Sequence, residues 1–545
     1  MSAPAAAPPL PGTGARLRER TLAGTGSLLR AALRRDRIRL PLWLLGISAF
    51  APYGHTVMQV ANPDPRALAE YVRLMDTPMV ALFTGPAFGL GQATVERAMV
   101  SSYFLEFLLA AGLMNILAVA RHTRAEEQTG RAELVRAAPV GRQAPLSAAL
   151  LLAAAADAVL AGLLAAFLGA AGYPAGSALL FGAAVGTTGL VFAGATALTA
   201  QLAALSRAAA GIAGAALLAA WAVRGIGALQ QDGGSALTWL SPLAWAQYTR
   251  VLADERWWPL GLSVALAAAL AAGGYALSER RDLGSGLLAE RSGRGGAAPW
   301  LRSPLALAFR LQRTSILWWG GVLTVAAFVY GSLTGALAGA DAADAFFGTG
   351  GNVQAGYLSL MAVAMGLLVC VYAVLAVVSL RTDEVRGRTA LPLAGPTARS
   401  AWLRAWLAVT AAAGTAMAVA VGAAMAAGAA WSTGDASALG PVFAAAVVRI
   451  PEVLLVLSVA ALLHGFAPRA LPAVWAVVLY GGVVRFFAPS LGWPQWLMDL
   501  SPLDHIARMP VEPFSAGPVA ATVAAAAALA GLAAYGYGRR DLAGG

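Results

Sequence analysis

The stretch Arg124-Ala125-Glu126-Glu127-Gln128-Thr129-Gly130-Arg131 returns 257 residues later as Arg381-Thr382-Asp383-Glu384-Val385-Arg386-Gly387-Arg388. The same offset pairs Leu134 with Leu391, Pro139 with Pro396 and Arg142 with Arg399. Farther on, Leu240-Ser241-Pro242-Leu243 recurs as Leu500-Ser501-Pro502-Leu503. Each half then closes on one tetrapeptide, Arg280-Arg281-Asp282-Leu283 and Arg539-Arg540-Asp541-Leu542. Matches in order, at nearly constant spacing, mark an internal duplication that Ala/Leu bias does not produce.

What is duplicated follows from composition. The chain is 59% hydrophobic and 12% charged, with a mean hydropathy of +0.68, whereas soluble domains carry roughly 25% charged residues. Its apolar residues run in blocks of about 18–25, enough to cross a hydrocarbon layer about 30 Å thick. In lipid only helices and closed barrels satisfy their own backbone. The alternating pattern of a barrel strand is absent. The expected spans are 40–58, 99–120, 146–170, 177–203, 208–227 and 258–277, then 315–335, 355–379, 402–430, 439–463, 469–487 and 516–537. The predicted fold is an all-α polytopic membrane protein, about 12 transmembrane helices in two parallel six-helix repeats. Its expected parts are a disordered N-terminus (1–26), a first half (27–283), a cytoplasmic linker (284–302) and a second half (303–545).

Arginine placement predicts orientation. Arg30, Arg34, Arg35, Arg37 and Arg39, the loop after span two, and the linker from Arg280 to Arg313 fall on one side of a twelve-span chain. The positive-inside rule makes that side, and both termini, cytoplasmic in a cell membrane. The net charge of +11 therefore reads as topology, and no nucleic acid is expected as a partner. The chain has no lysine, so it cannot build the P-loop that cradles nucleotide phosphates. The lone cysteine, Cys370, lies in an apolar block and allows no internal disulfide. His55, His122, His464 and His505 are scattered and form neither a metal-ligand spacing nor a catalytic set. No catalytic, metal or cofactor-binding residue is assigned.

The repeated loop carries the most information. Glu127 and Arg131, like Glu384 and Arg388, stand at i and i+4 with the acid first, the favourable order on a helix. Pro139 and Pro396 then redirect the chain. One copy would read as a solvated connector. Two matched copies, with Glu126, Gly130 and Glu133 in the first and Asp383 and Gly387 in the second, suggest a docking surface. Charge reversal at Glu127 and Glu384 together is then expected to abolish transport without harming insertion.

The run from Glu127 to Leu134, followed by Pro139-Val140-Gly141-Arg142, resembles the coupling segment of ABC-2 type permeases. An amphipathic elbow over about 27–39, with Leu29, Ala32 and Leu33 on one face, its second copy over 303–313, and a hairpin before each last span are similar to that family too. Two fused halves resemble in particular the polyketide-antibiotic (tetronasin-type) exporter permeases. The chain departs from the usual pattern in having Arg131 and Arg388 where Thr is common, and Ala390 for the second Glu. The resemblance implies an ATP-driven exporter of hydrophobic or amphipathic small molecules. It also implies a separate ABC ATPase, two copies per chain, which binds ATP and Mg while this chain binds no cofactor.

Charges inside the spans cost at least about 2.5–3.5 kcal/mol each and demand a reason. Glu106, Asp157, Arg449 and Glu452 are candidates for a substrate path or an ion relay, or for internal salt bridges. Arg224 and Arg485 recur near the outer ends of spans five and eleven, with Asp232, Glu255 or Asp499 as expected partners. With Pro242 and Pro502 they mark the outer hairpins, where Trp239, Trp245, Trp257, Trp258, Trp493 and Trp496 form either an interfacial belt or a lid. The rival function is a twelve-span secondary transporter driven by an ion gradient. A membrane enzyme is a third, without convergent catalytic residues to support it.

Overall fold

The computed structural model describes residues 21–62, 64–75, 78–89, 91–231, 233–282, 284–288, 296–337, 353–486, 488 and 493–541. The expected disordered segment falls mostly outside them, as do Asp232, Leu283 and Leu542. Two compact units, 1–293 and 294–545, divide the chain. The first holds α1 (Thr25–Arg35), α2 (Arg39–Ala61), α3 (Pro65–Met75), α4 (Pro78–Thr84), α5 (Val95–Gln128), α6 (Arg131–Arg136), α7 (Ala144–Ala170), α8 (Ala175–Leu202), α9 (Ser206–Gln230), α10 (Pro242–Gln247) and α11 (Trp258–Glu279). The second holds α12 (Pro304–Gly335), α13 (Val353–Val385), α14 (Ala390–Leu393), α15 (Arg399–Thr433), α16 (Leu439–Phe466), α17 (Pro468–Phe486), α18 (Gln495–Asp499) and α19 (Ala516–Arg539).

The protein is an all-α polytopic membrane protein. Among the described residues, 11 helices are long and apolar enough to span a bilayer. The remaining expected span, α2, is 23 residues long, but Pro52, Tyr53 and His55 dilute its hydropathy. Helices α5, α13 and α15 run to 34, 33 and 35 residues. About twenty residues cross the hydrocarbon, so the ends of these helices project beyond it. The repeated acids sit on those ends.

Each unit pairs its spans alike. First packs on third (α2 with α7, α12 with α15), second on fourth (α5 with α8, α13 with α16) and fourth on sixth (α8 with α11, α16 with α19). Lipid removes the hydrophobic drive between helices, so small residues and close packing must hold them. Around α12 and α15 this is explicit: a Cβ on Gly428 would strike the Phe328 carbonyl, and one on Gly331 the Met425 carbonyl. Large apolar side chains such as Leu317, Trp318, Val325 and Leu479 point outward, as suits a hydrocarbon surround.

One expectation changes. The elbow α1 is a separate helix with Ala32 and the following Asp36 buried, Leu28 and Leu29 half-buried and Leu33 exposed. The second elbow, over 303–313, is no separate helix: Pro304 takes the first turn of α12 and the helix continues unbroken. Proline fits that position because a first-turn N–H has no partner to lose.

Gly428→Leu should lower the melting temperature of the purified protein sharply. Gly321→Leu on α12, where a Cβ meets nothing within 4 Å, should be tolerated. Equal melting of the two variants would refute close packing at α12 and α15.

Candidate functional site: an arginine–carboxylate clasp in each unit

The end of α5 passes through a π-turn at Arg121–Ala125, then Glu126–Gln128, and stops where Gly130 takes φ +73°. Gly387 ends α13 in the same way at φ +69°. A side chain would strain the left-handed conformation, so glycine serves as the stop. This break removes the expected i, i+4 ion pairs. Among the described residues Glu127 does not meet Arg131, nor Glu384 Arg388, because no helix connects them.

The acids turn inward instead. Both oxygens of Glu127 accept from Arg281, at 2.5 and 2.9 Å, and Arg124 adds a bond of 2.8 Å. Arg281 also donates from Nε to Gln201 at 2.6 Å, and the Gly284 amide donates to Glu127 at 3.3 Å. Arg124, fully buried, donates to the backbone carbonyls of Ala200 and Gln201. In the second unit Arg540 donates to both oxygens of Glu384 at 2.6 and 2.7 Å. His464 stands 3.2 Å from the same carboxylate, and the Arg540 guanidinium lies over the Tyr537 ring. Two repeated motifs that stand about 150 residues apart in sequence thus form one site in each unit.

A third repeated residue completes it. Arg142 donates to the carbonyls of Ser278, Glu279 and Arg281, all within 3.1 Å, and Arg399 donates to the Arg540 carbonyl at 2.7 Å. Unpaired carbonyls at a helix C-terminus attract a cation, so this arginine closes the last helix of each unit. Glu133, Pro139 and Pro396 are exposed and stay outside the clasp. Glu126 pairs with Arg35 of α1, whereas its counterpart Asp383 pairs with Arg388 at 3.3 Å. Asp36, which follows α1, is held by His122 at 2.6 Å and Arg121 at 3.2 Å.

The intramembrane charges form separate groups. Arg449 caps the second segment of α16 and bonds Glu452 at 2.7 Å, with Pro451 in the first turn. Arg449 also donates to the carbonyls of Ile506 and Ala507. Arg485 reaches Asp504 at 2.9 Å and the carbonyls of Leu503 and Ile506, and lies 3.6 Å from Glu452. These are bridges internal to the second unit. In the first unit Arg224 donates to the Phe83 carbonyl and to Gln247 at 3.1 Å. Neither arginine takes Glu255 or Asp499: Glu255 accepts from Ser177 and Asp499 from Gln495. The serines of both Leu-Ser-Pro-Leu repeats, Ser241 and Ser501, are buried, with Pro242 and Pro502 beside them. Trp239 stacks on Tyr248 and Trp258 at 4.2 and 5.5 Å. Asp157, buried, accepts from Asn115 at 2.8 Å. Glu106 is exposed on its unit and lines a groove of about 540 Å³ with Trp43, Phe50 and Phe107.

This architecture has named counterparts. The family model of the multidrug efflux system permease Rv1217c, C-terminal domain, matches residues 27–277 and 301–538. The chain belongs to this efflux permease family. A relative in Mycobacterium tuberculosis (strain ATCC 25618 / H37Rv), the multidrug efflux system permease protein Rv1217c, is 37% identical over 540 residues, covering 95% of each chain. The permease clasp was half visible in sequence, since both of its motifs were repeated. Its other members, Gln201, His464 and Tyr537, lie singly in apolar helices and carried no signal.

Because Glu384 is buried and Glu127 half-buried, reversing them attacks the unit itself and not only a surface. Removing one partner of a buried ion pair costs about 3–5 kcal/mol. Glu384→Gln should therefore lower the melting temperature well beyond Glu133→Gln, which alters an exposed acid. Matching melts would show that the clasp carries no stability.

Proposed function

We propose that this permease is the membrane-spanning subunit of an ATP-driven exporter of the ABC-2 type, in the fused two-half form of the polyketide-antibiotic exporters. Its cargo is hydrophobic or amphipathic small molecules, in keeping with the multidrug efflux named for its relative. A separate ABC ATPase, two copies per chain, would bind ATP and Mg and dock on the cytoplasmic side, where both termini lie.

One observation carries this reading. Just beyond each clasp glycine, Leu134 is 77% exposed and Leu391 83% exposed. They are repeat equivalents, each on a short helix held outside a membrane-length helix by the clasp. Water-exposed leucine is unremarkable singly. A matched pair on rigidly fastened segments suits two copies of one partner, each receiving one knob. The fastening supports a mechanical role, because a push on α6 or α14 passes through the Arg–Glu pair to the end of the last span. The lack of any lysine leaves the nucleotide site to another chain.

Gentle purification from the native membrane should bring down a P-loop ATPase in about two-to-one ratio. Leu134→Asp with Leu391→Asp should release it and stop ATP-dependent efflux without lowering the melting temperature. Efflux by the double variant that follows a proton or sodium gradient would favour the secondary-transporter reading.

A further inference from the structure

The first unit contains a cavity that the exporter reading does not use. It measures about 210 Å³ and lies where α1, the π-turn of α5, α6, the start of α7 and the end of α11 meet. Its polar wall presents Arg35, Arg131, Arg142 and Arg281 against Glu126 and Glu127. Four arginines against two glutamates leave two positive charges unbalanced. Arg35 is taken by Glu126 and Arg281 by Glu127, while Arg142 binds only backbone carbonyls. The Arg131 guanidinium has neither an ion pair nor a hydrogen bond among the described residues. Burial first, and then the nearby Arg131 guanidinium, pull the Arg35 pKa below its ordinary value. The opposite wall is apolar, built from leucine, valine and alanine side chains of α1, α6 and α7.

The second unit explains why Arg131 is free. There Arg388 is neutralised by Asp383, and no separate elbow competes for that acid. In the first unit the elbow's Arg35 captures Glu126 and leaves the equivalent arginine without a partner.

We propose that this cavity holds the phosphate headgroup of an anionic phospholipid, with Arg131 and Arg142 as its charged contacts and the apolar wall against the start of its acyl chains. Three features select a lipid. The cavity is level with the ends of three membrane-length helices, α5, α7 and α11, at the height of lipid headgroups. It is smaller than the roughly 300–1,000 Å³ of drug-sized sites, and mostly apolar, which a soluble phosphate would not need. Basic pockets between transmembrane helices at the membrane edge are suited to anionic headgroups. The site would secure the elbow to the bilayer and stands independently of any ATPase.

The test takes the full-length chain in a neutral detergent and counts bound phosphatidylglycerol by native mass spectrometry. One phosphatidylglycerol should be retained over phosphatidylcholine. Arg131→Gln should weaken that lipid at least about tenfold, the loss of one charge-assisted hydrogen bond, while Arg388→Gln leaves it unchanged. Val135→Trp, which fills the apolar wall without touching a charge, should weaken it too. Equal retention of phosphatidylcholine, or equal loss in Arg388→Gln, would overturn the site. Displacement of the lipid by millimolar inorganic phosphate would assign the cavity to a soluble anion instead. Unaltered retention in Val135→Trp would place the acyl chains elsewhere and refute the lipid assignment. Because no ATPase is present, failure here leaves the exporter reading untouched, and the converse holds.

Discussion

A carboxylate at the C-terminal end of a helix sits against the negative end of the helix dipole. Glu127 and Glu384 occupy that unfavourable place, on the last turns of α5 and α13. What makes it tolerable is an arginine that reaches back from the end of the unit's last span and takes both carboxylate oxygens. Arg281 and Arg540 stand just past the C-termini of α11 and α19, where positive charge is favoured. Each clasp therefore satisfies two helix ends at once, and the planar fork of arginine matches a carboxylate as lysine would not. Much of the rest depends on it: the glycine stop, the short helix beyond, and the direction in which Leu134 and Leu391 point.

The units share this device and dress it differently. In the first, Gln201 and Arg124 complete the carboxylate's surroundings; in the second, His464 and Tyr537 do so. The elbow accounts for another difference. As a free helix in the first unit, α1 contributes Arg35 to Glu126 and Asp36 to His122 and Arg121. As the first turns of α12 in the second, the same region is continuous with a span. A duplicated framework has thus acquired a separate amphipathic helix in one unit that is fused into a span in the other.

The spans, the repeat and the all-α class were legible because each rests on local pattern: block length, hydropathy and recurrence. The long-range pairings were not. The spacing of Glu127 and Arg131 fits a helical ion pair only while the helix continues, and Gly130 between them was the sign that it does not. Glu127 and Arg281 are joined across 154 positions, a distance at which spacing says nothing. Recurrence said more, since a motif kept at both the second span and the chain end of each half needs a common cause. The shared face of Leu29, Ala32 and Leu33 was legible from spacing, whereas the burial of Asp36 beside His122 and Arg121 was not. Arg224 and Arg485 were expected to seek carboxylates, and Arg485 found Asp504 while Arg224 settled on an amide and a carbonyl.

That last difference shows how these units handle buried cations at their opposite ends. An arginine in the low-dielectric interior is costly unless its five donors are met. In the second unit the hairpin backbone supplies acceptors: Leu503, Ile506 and Ala507 offer carbonyls to Arg485 and Arg449; in the first unit Phe83, in the last turn of α4, offers one to Arg224. The non-helical stretch after α18 leaves the carbonyls of Leu503, Ile506 and Ala507 without intrahelical partners. The hairpin needs the arginine as much as the arginine needs the hairpin, since either alone would bury unsatisfied groups. Each unit is therefore pinned twice by guanidinium groups, at the clasp and at the hairpin. The helices between are thus held near both of their ends within each unit.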